Sequence, residues 1–295
     1  MQKTILTIAN KNDDFCKHLE HAASKKNLRT INLCPEDFFD KIKVEFNISS
    51  GGSHFILKSG KKEIGIENVL AVFPRITNFT GDPKLRNSSN HIYTVSEWNS
   101  FYKGWLASLS IPVINLISPE YWQKQNLNPI DLNEFSSKLK LHIPAYIISN
   151  DSYDLKNFFL RHKKNVRFVS NSHAKVSYKI DTESDFKKLS HLGKYFPITL
   201  HQLPKGISYE VFYVGENTYT IDSQGKLSGA VPKKFMNDIF LISRKTGLRF
   251  ASFEVVASEK KFFLTSVSMY PCFSRCSKSV VTKILNGLFE NYLKI

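Results

Sequence analysis

The stretch from residue 196 to residue 270 constrains the fold more than any other part of the chain. It begins with an apolar strand that stops at Pro204, and alternating apolar residues over 209–213 then predict a half-buried strand. A turn at 215–217 returns that strand as a hairpin, a helix is predicted over 233–246, and two more strands follow. A unit of this order is typical of an α+β fold in which helices cover one face of a sheet.

The net charge limits the classes of partner. The chain has 295 residues, enough for two or three modest domains, and its formal net charge is +15. Lys and Arg are spread along the whole chain, which is typical of a solvated basic surface. The same charge also suits an acidic partner, and the candidates are nucleotide phosphates, an acidic peptide or nucleic acid.

The four cysteines, Cys16, Cys34, Cys272 and Cys276, do not make a disulfide framework in a chain of this length. A zinc site needs about four ligands, and no second Cys or His pair accompanies Cys272 and Cys276, so we expect both to be reduced and metal-free. Met1 leads into a short strand without a signal peptide, and no apolar run approaches the ~20 residues that span a bilayer. These features predict a cytoplasmic protein that does not enter a membrane.

The first 116 residues predict a small α/β domain. A strand, a helix and a second strand give a parallel pair, and three short antiparallel strands follow over 42–66. A continuous apolar strand over 69–73 then ends at Arg75. Since a charged residue at the end of a buried strand is a typical ligand contact, Arg75 is a candidate to bind a ligand carboxylate. The alternatives are a solvated strand end and an ion pair that fixes the domain junction.

Further elements are predicted on both sides of the middle of the chain. A helix is expected from Ser96, a strand over 112–115, helices over 118–141, and an amphipathic helix over 277–295. On the helix from Ser96, four apolar side chains share one face and favour core packing over a substrate platform: Trp98, Phe101, Trp105 and Leu109.

The order of these elements and several short motifs resemble the ATP-grasp ligases. The likeness is strongest to their peptide-modifying members, the graspetide (microviridin-type) macrocyclases and the ribosomal-protein glutamate ligases. The motifs that carry the resemblance are His201-Gln202-Leu203-Pro204-Lys205-Gly206, Ser208-Tyr209-Glu210-Val211, Val214-Gly215, Ile221-Asp222-Ser223-Gln224, the segment from Gly247-Leu248 to Glu254, and Phe263-Leu264-Thr265.

The resemblance implies an α/β (α+β) ATP-grasp-like fold with an N-terminal pre-grasp domain. It divides the chain into a pre-grasp-like domain over 1–116, a central domain over 117–195 and a C-terminal grasp subdomain over 196–295. It also implies candidate site residues. These are Gln202, Leu203 and Lys205 as a nucleotide hinge, Arg75, Glu97 and Glu210 as substrate contacts, Glu210 and Glu254 as catalytic candidates, and Glu254 as a metal ligand.

Several chemical residues depart from the pattern of the resembled family. The family's two phosphate-binding lysines align with Pro129 and Ser170, and its metal-binding Glu and Asn align with Thr265 and Val267. The Arg that steadies the transferred phosphate aligns with Glu210, which has the opposite charge. The loop over 171–174 lacks the glycines that let a backbone cradle phosphate. The cations near these positions in the sequence are Lys124, His173 and Lys175.

The departures predict a degenerate ligase. We expect it to act in peptide maturation, where it binds a substrate or leader peptide, or an active partner enzyme, without ATP or Mg²⁺ as a cofactor. The alternative is an active ATP-dependent ligase of the carboxylate–amine or ester type with relocated phosphate and Mg²⁺ ligands, rebuilt from Glu210, Glu254 and Asp222. A nucleic-acid-binding protein is the third hypothesis, and the sequence also leaves a homodimer open.

Overall fold

The computed structural model describes residues 2–49, 52–59, 62–81, 90–116, 126–127, 129–139, 141–170, 177–259 and 261–295. Within them the strands are β1 (Thr4–Ile8), β2 (Arg29–Leu33), β3 (Ile42–Ser49), β4 (Gly52–Ser59), β5 (Lys62–Gly65), β6 (Val69–Pro74), β7 (Asn126–Leu127), β8 (Tyr146–Ser149), β9 (Val166–Val169), β10 (Ser177–Ile180), β11 (Ile198–Gln202), β12 (Ile207–Val214), β13 (Asn217–Ile221), β14 (Phe250–Ser258) and β15 (Lys261–Ser268). The helices are α1 (Asp14–Ser24), α2 (Asn90–Ser108), α3 (Pro129–Leu139), α4 (Ser152–Arg161), α5 (Glu183–Leu192), α6 (Lys233–Thr246) and α7 (Lys278–Leu288).

The N-terminal part contains two small sheets. Strands β2, β1 and β6 form a parallel sheet in that order, and β3, β4 and β5 form an antiparallel one. Strand β1 is buried along its whole length, which explains why Ile and Leu occupy both of its faces and why it has no charged residue. Helix α1 begins at its N-cap Asp13, whose side chain accepts a hydrogen bond from the Cys16 amide. The predicted parallel pair and the three short antiparallel strands are both present.

The central lobe is a four-stranded antiparallel sheet in the order β10-β9-β11-β8, covered by α4 and α5. Helix α4 is capped by Asp151, and α5 is capped by Thr182. The lobe has its own core, in which Phe159 stacks on Phe186 with ring centroids 5.0 Å apart. Strand alternation places Val166 and Phe168 in this core, so Arg167 points away from it.

The C-terminal lobe is built on a five-stranded sheet in the order β13-β12-β14-β15-β7. One face of the sheet packs on α3 and α6, where Val211, Phe253 and Val267 are buried. The opposite face begins with Phe212 and Phe250, which pack on α7 and on the N-terminal part. Further along the same face the side chains become polar, and this polar end faces the central lobe.

The N-terminal and C-terminal parts share one hydrophobic core. The ring of Phe15 on α1 lies 5.4 Å from that of Phe73 on β6, 5.5 Å from Phe250 on β14 and 5.8 Å from Phe273. Because these rings come from both ends of the chain, the two parts pack as one body.

Some boundaries differ from those predicted. Helix α2 begins at Asn90, six residues before Ser96, and the strand expected over 112–115 is reduced to a single bridge between Val113 and Val72. Strand β11 pairs with β8 and β9, so it belongs to the central sheet although the sequence division had placed it in the C-terminal subdomain. Strand β7 and helix α3, assigned by sequence to the central domain, pack on the C-terminal sheet instead. The C-terminal helix ends at Leu288 and continues as a π turn.

None of the helices that the structure describes combines the length and the apolar character needed to cross a membrane. All four cysteines are free thiols, and burial raises the pKa of both Cys16 and Cys276 to about 12. Both thiols are therefore protonated near neutral pH.

Candidate functional site

A cleft of about 570 Å³ separates the central lobe from the polar end of the C-terminal sheet. Strand alternation explains its composition, because the residues that alternate with the buried Val211, Phe253 and Val267 face the opening. The sheet contributes Glu210 from β12, Ser252 and Glu254 from β14, and Ser266 and Ser268 from β15. The central lobe contributes Arg167, Ser177 and Lys179, and the N-terminal part contributes Asp13 and Arg75.

The two catalytic candidates, Glu210 and Glu254, are brought together. They are directly opposite each other in the antiparallel register of β12 and β14. Burial raises the pKa of Glu210, the Glu254 charge adds to this effect, and a hydrogen bond from Ser252 and the charge of Arg275 oppose it. Glu254 itself forms an ion pair with Arg167 across the cleft, with Nη1 and Oε2 3.1 Å apart. The pair of glutamates therefore contains one carboxylate whose charge is already matched and one that burial makes easier to protonate.

The two β15 residues that the sequence aligned with metal ligands, Thr265 and Val267, are not the ones whose side chains face the cleft. Val267 is fully buried in the core, so its side chain cannot reach the cleft. Thr265 occupies a bulge opposite β14, and its hydroxyl donates to the backbone carbonyl of Glu254 at 3.1 Å. The residues of β15 that face the cleft are Ser266 and Ser268. The conclusion about chemistry is unchanged, because neutral hydroxyls stand where carboxylate and amide ligands are needed for Mg²⁺.

A divalent cation does not fit the donor set of this cleft. The part of the chain that the structure describes contains no group of three or more His, Cys, Asp or Glu side chains placed to hold a metal ion. Of the two glutamates in the cleft, Glu254 is already paired with Arg167. Asp222, the third acid of a rebuilt site, accepts hydrogen bonds from the amides of its own turn at Gln224 and Lys226.

Three cations of the cleft are held by internal acids. Arg167 pairs with Glu254, Lys179 pairs with Asp181 at 2.8 Å, and Arg75 pairs with Asp13 at 3.3 Å. A triphosphate in the cleft would have to compete with each of these carboxylates. Arg167 and Lys179 were not predicted from the sequence. The signal was available, since the VRFV alternation places Arg167 opposite the buried Val166 and Phe168.

Arg75 lies at the junction of the N-terminal and C-terminal parts. Its side chain is only 4% exposed, and its guanidinium lies over the Phe15 ring at 4.6 Å and near the Tyr270 ring at 5.9 Å. The ion pair with Asp13 matches the junction-fixing alternative for this arginine. Asp13 also caps α1, so the same carboxylate serves the helix and the guanidinium.

The hinge candidates line a smaller pocket of about 240 Å³, the hinge pocket, which shares Arg167 and Glu254 with the cleft. Gln202 and Leu203 lie at the end of β11 and line this pocket. The Leu203 amide donates to the Asn165 carbonyl at 3.1 Å, and the Leu203 carbonyl accepts from the Asn165 side chain at 3.0 Å. A nucleobase that used the Leu203 amide would have to displace Asn165.

His201 was not predicted as a site residue, although it precedes the hinge and lines the same pocket. It is buried, and its Nε2 has no hydrogen-bond partner among the described residues. Burial lowers the pKa of His201 to about 4, and the charge of Arg167 acts in the same direction. The imidazole is therefore neutral at pH 7.

Other predicted residues lie away from this pocket. Lys205 is exposed and lines an outer depression, and Glu97 is exposed on α2 in a separate shallow pocket beside Val44 and Phe46. Glu97, expected as a substrate contact, therefore does not line the cleft that Arg75 and Glu210 share, because the face of α2 that carries it turns toward the small antiparallel sheet.

The two aligned phosphate-binding positions are both near the ends of regular elements. Pro129 is buried at the first turn of α3, where its ring suits the helix start but offers no cation. Ser170 directly follows β9. Lys124, the loop over 171–174 and Lys175 lie outside the described residues.

No protein-family model matches the chain, and none of the curated proteins compared with it does. Solved structures match over nearly the whole length. A RiPP-associated ATP-grasp ligase of Chryseobacterium gregarium, in complex with ADP and a leader and core peptide, superposes with a TM-score of 0.75 at 14% identity, covering 99% of this chain and 97% of that one. Macrocyclase MdnC of Microcystis aeruginosa MRC, bound with precursor peptide MdnA, superposes with a TM-score of 0.76 at 17% identity, covering 99% of this chain and 100% of that one. Macrocyclase MdnB from the same source superposes with a TM-score of 0.68 at 18% identity, covering 99% of this chain and 95% of that one.

The chain therefore has the ATP-grasp fold, as the motifs predicted. The structures that match it include peptide macrocyclases and a RimK-domain ATP-grasp protein, which are the two branches that the sequence resembles. At these identities the likeness establishes the fold alone.

Proposed function

We propose that this protein binds a peptide in the interlobe cleft and acts in peptide maturation without carrying out acyl-phosphate chemistry itself. The observation that carries the proposal is the Arg167–Glu254 ion pair across the cleft. Glu254, the carboxylate that aligns with a metal ligand, is neutralised by Arg167. The neighbouring strand β15 places only the hydroxyls of Ser266 and Ser268 in the cleft. Acyl-phosphate formation from ATP needs the metal and the phosphate cations that these residues replace.

The shape and charge of the cleft suit a peptide. Its volume of about 570 Å³ lies in the usual range for ligand sites. Serine hydroxyls on β14 and β15 offer hydrogen bonds to an extended backbone, and a side-chain carboxylate can pair with Arg167 or Lys179 by exchange with Glu254 or Asp181. The matching ligases from Chryseobacterium gregarium and Microcystis aeruginosa were solved with leader, core or precursor peptides, which supports the same class of ligand here.

One specific observation favours the alternative of an active ligase. Two glutamates lie side by side on the cleft face, and Arg75, Arg167, Lys179 and Arg275 line the same cavity. If substrate binding separated Arg167 from Glu254, a relocated metal ligand and a relocated phosphate cation would be released together. Under the preferred proposal the chemistry belongs instead to an active partner enzyme that receives the bound peptide.

Calorimetric titration with Mg-ATP separates the two functions. We expect no binding tighter than about millimolar, which corresponds to about −4 kcal/mol. The neighbouring genes are inspected for small open reading frames, and the same titration is repeated with synthetic peptides that any of them encodes. A micromolar affinity for Mg-ATP, or ADP release in the presence of any of these peptides, would refute the non-catalytic proposal and establish the active ligase.

A blocking variant tests the location. Ser266→Trp places an indole on the cleft face of β15, and we expect it to weaken binding of such a peptide at least tenfold. Ser184→Trp is the matched control, because Ser184 is exposed on α5, away from the residues that line the cleft. Equal peptide affinity in both variants and the wild type would place the peptide outside the cleft.

A further inference from the structure

A second cavity on the outer side of the hinge differs from the cleft in its charge. We call it the basic depression. It has a volume of about 910 Å³ and is lined by Arg161, Lys163 and Lys205, with Leu203, Pro204 and Phe263 as its apolar part. Among the described residues, those that line it include no Asp or Glu. Three cations around an apolar floor are thus left facing solvent.

The cations of the basic depression are unmatched, unlike those of the cleft. Within the described part of the chain, none of Arg161, Lys163 and Lys205 forms an ion pair, whereas Arg167 and Lys179 both do. Basic residues at the end of a helix also complement its dipole, which accounts for Arg161 at the end of α4. That effect does not account for Lys205, which comes from the turn after β11.

Hydrogen bonds hold the backbone that carries these cations. Lys163 and Lys164 have left-handed φ angles of 54° and 58°, a conformation for which Gly and Asn are better suited. The turn is closed by hydrogen bonds from the Lys163 amide to the Leu160 carbonyl and from the Lys164 amide to the Phe159 carbonyl, both 2.9 Å. Asn165 then joins the turn to the hinge at Leu203. The backbone positions that carry these charges, on α4 and at the hinge, are therefore fixed relative to each other before any ligand arrives.

The basic depression lies near the proposed peptide cleft, and the hinge pocket lies between them. The cleft shares Arg167, Ser177 and Glu254 with the hinge pocket. The hinge pocket in turn shares its wall with the basic depression at Gln202, Leu203 and Pro204. A Cβ at Gly206, which lines both of the latter cavities, would collide with the Ala257 carbonyl, so the wall is closely packed against β14. The three cavities therefore lie next to one another around the hinge.

We propose that the basic depression docks an acidic segment of a peptide that carries at least one apolar side chain. Carboxylates would pair with Arg161, Lys163 and Lys205, and the apolar side chain would cover Phe263 and Pro204. The apolar floor favours a peptide over a polynucleotide, whose backbone would leave that floor uncovered. The inference rests on the proposed peptide-binding function and assigns the chemistry of one end of the ligand.

The test measures fluorescence anisotropy with a labelled peptide of about a dozen residues in which glutamates alternate with a few leucines. Its counterpart has every Glu replaced by Gln. The variant Arg161→Gln, Lys163→Asn, Lys205→Gln removes the three charges while keeping a residue suited to the left-handed turn. The control Lys187→Gln, Lys188→Gln, Lys194→Gln removes three exposed lysines from the same lobe, so the net charge changes equally. Thermal melts confirm that both variants are folded.

We expect the wild type and the control to bind the acidic peptide with equal affinity. The depression variant should bind that peptide at least tenfold more weakly, and the wild type should bind the Gln peptide at least tenfold more weakly than the acidic one. An equal loss in the control would show that only net charge matters, and absence of binding by the wild type would also overturn the proposal. Displacement of the acidic peptide by an equal concentration of a single-stranded oligonucleotide of the same length would assign the surface to nucleic acid and overturn it as well.

The two proposals fail separately. If the peptides encoded beside the gene bind the wild type and the depression variant equally, the depression proposal is wrong and the peptide-binding function stands. If none of those peptides binds while the acidic probe still requires the three cations, the function in peptide maturation is wrong and the docking surface stands.

Discussion

Replacing Asn115 by Ala should strongly destabilise the protein. Asn115 is buried after the Val113 bridge, and its side chain makes four hydrogen bonds to backbone groups far away in sequence. It donates to the carbonyls of Phe250 and Met269 at 2.6 and 2.7 Å, and it accepts from the amides of Arg249 and Phe250, both at 2.7 Å. The amide therefore continues the hydrogen bonding of the sheet where β14 and β15 separate.

The magnitude follows from these four bonds. A buried intramolecular hydrogen bond contributes about 1 kcal/mol net, and an orphaned buried partner costs about 1–3 kcal/mol. Asn115→Ala orphans groups on three backbone positions, so we expect a loss of about 4 kcal/mol in the free energy of unfolding. Asn115→Asp keeps the two accepting bonds but turns a carboxylate toward two carbonyls. It should be at least as damaging at pH 7 and partly recover as pH falls, because protonation restores one donor.

Urea unfolding followed by tryptophan fluorescence measures these changes. Asn47→Ala is the matched control, since the Asn47 side chain is exposed and bonds to Glu45 on the same strand; we expect it to change stability by less than about 0.5 kcal/mol. A loss below about 1 kcal/mol for Asn115→Ala, with an unchanged urea slope, would refute the claim that this side chain ties residue 115 to the C-terminal sheet.

Two further substitutions test the site. Arg75→Ala leaves the half-buried Asp13 without its partner, and we expect a loss of about 3 kcal/mol in urea unfolding; unchanged stability with lost peptide binding would make Arg75 a ligand contact. His201 has a pKa of about 4 when folded against about 6.5 when unfolded, so the unfolded state takes up a proton first as pH falls. Stability should therefore drop by about 3 kcal/mol between about pH 6.5 and pH 4, and His201→Gln should remove most of that drop. Replacing the exposed His191 by Gln should leave the drop in stability unchanged. If both variants reduce the drop equally, the acid sensitivity does not come from His201.

The sequence predicted the identity of most elements because their signals are local. The apolar run of β6 and the hydrophobic pattern of α6 are complete within a few residues, and the helix predicted over 233–246 agrees with the structure. Strand partnership is not local. Strand β11 is followed directly by the β12–β13 hairpin in sequence, yet it pairs with β8 and β9, because pairing is set by packing of the central lobe.

The site was predicted less well than the fold, and β15 shows why. The bulge at Thr265 shifts the strand by one residue, so the face of each later side chain is the reverse of what a regular strand from Leu264 would give. The orientation of the later residues could still have been predicted from the sequence, since the apolar Val267 and Met269 alternate with Ser266 and Ser268. The sequence around Thr265 is compatible with a strand that has the bulge and with one that lacks it. Burial of Val267 in the core selects the register with the bulge.

The charges of the cleft also depend on contacts that no local pattern specifies. Arg167 and Glu254 are 87 residues apart and come from different lobes, yet they form an ion pair that lines both the cleft and the hinge pocket. Each is half-buried, so the pair is only partly shielded from water and a carboxylate on a ligand can compete with Glu254 for the guanidinium. The same exchange by a triphosphate would leave Glu254 beside Glu210 on β12, with the neutral hydroxyls of Ser266 and Ser268 on its β15 side, so a divalent cation would still have to be supplied. A peptide carboxylate is therefore the better match for Arg167, because it replaces one carboxylate by another and leaves no metal to be supplied.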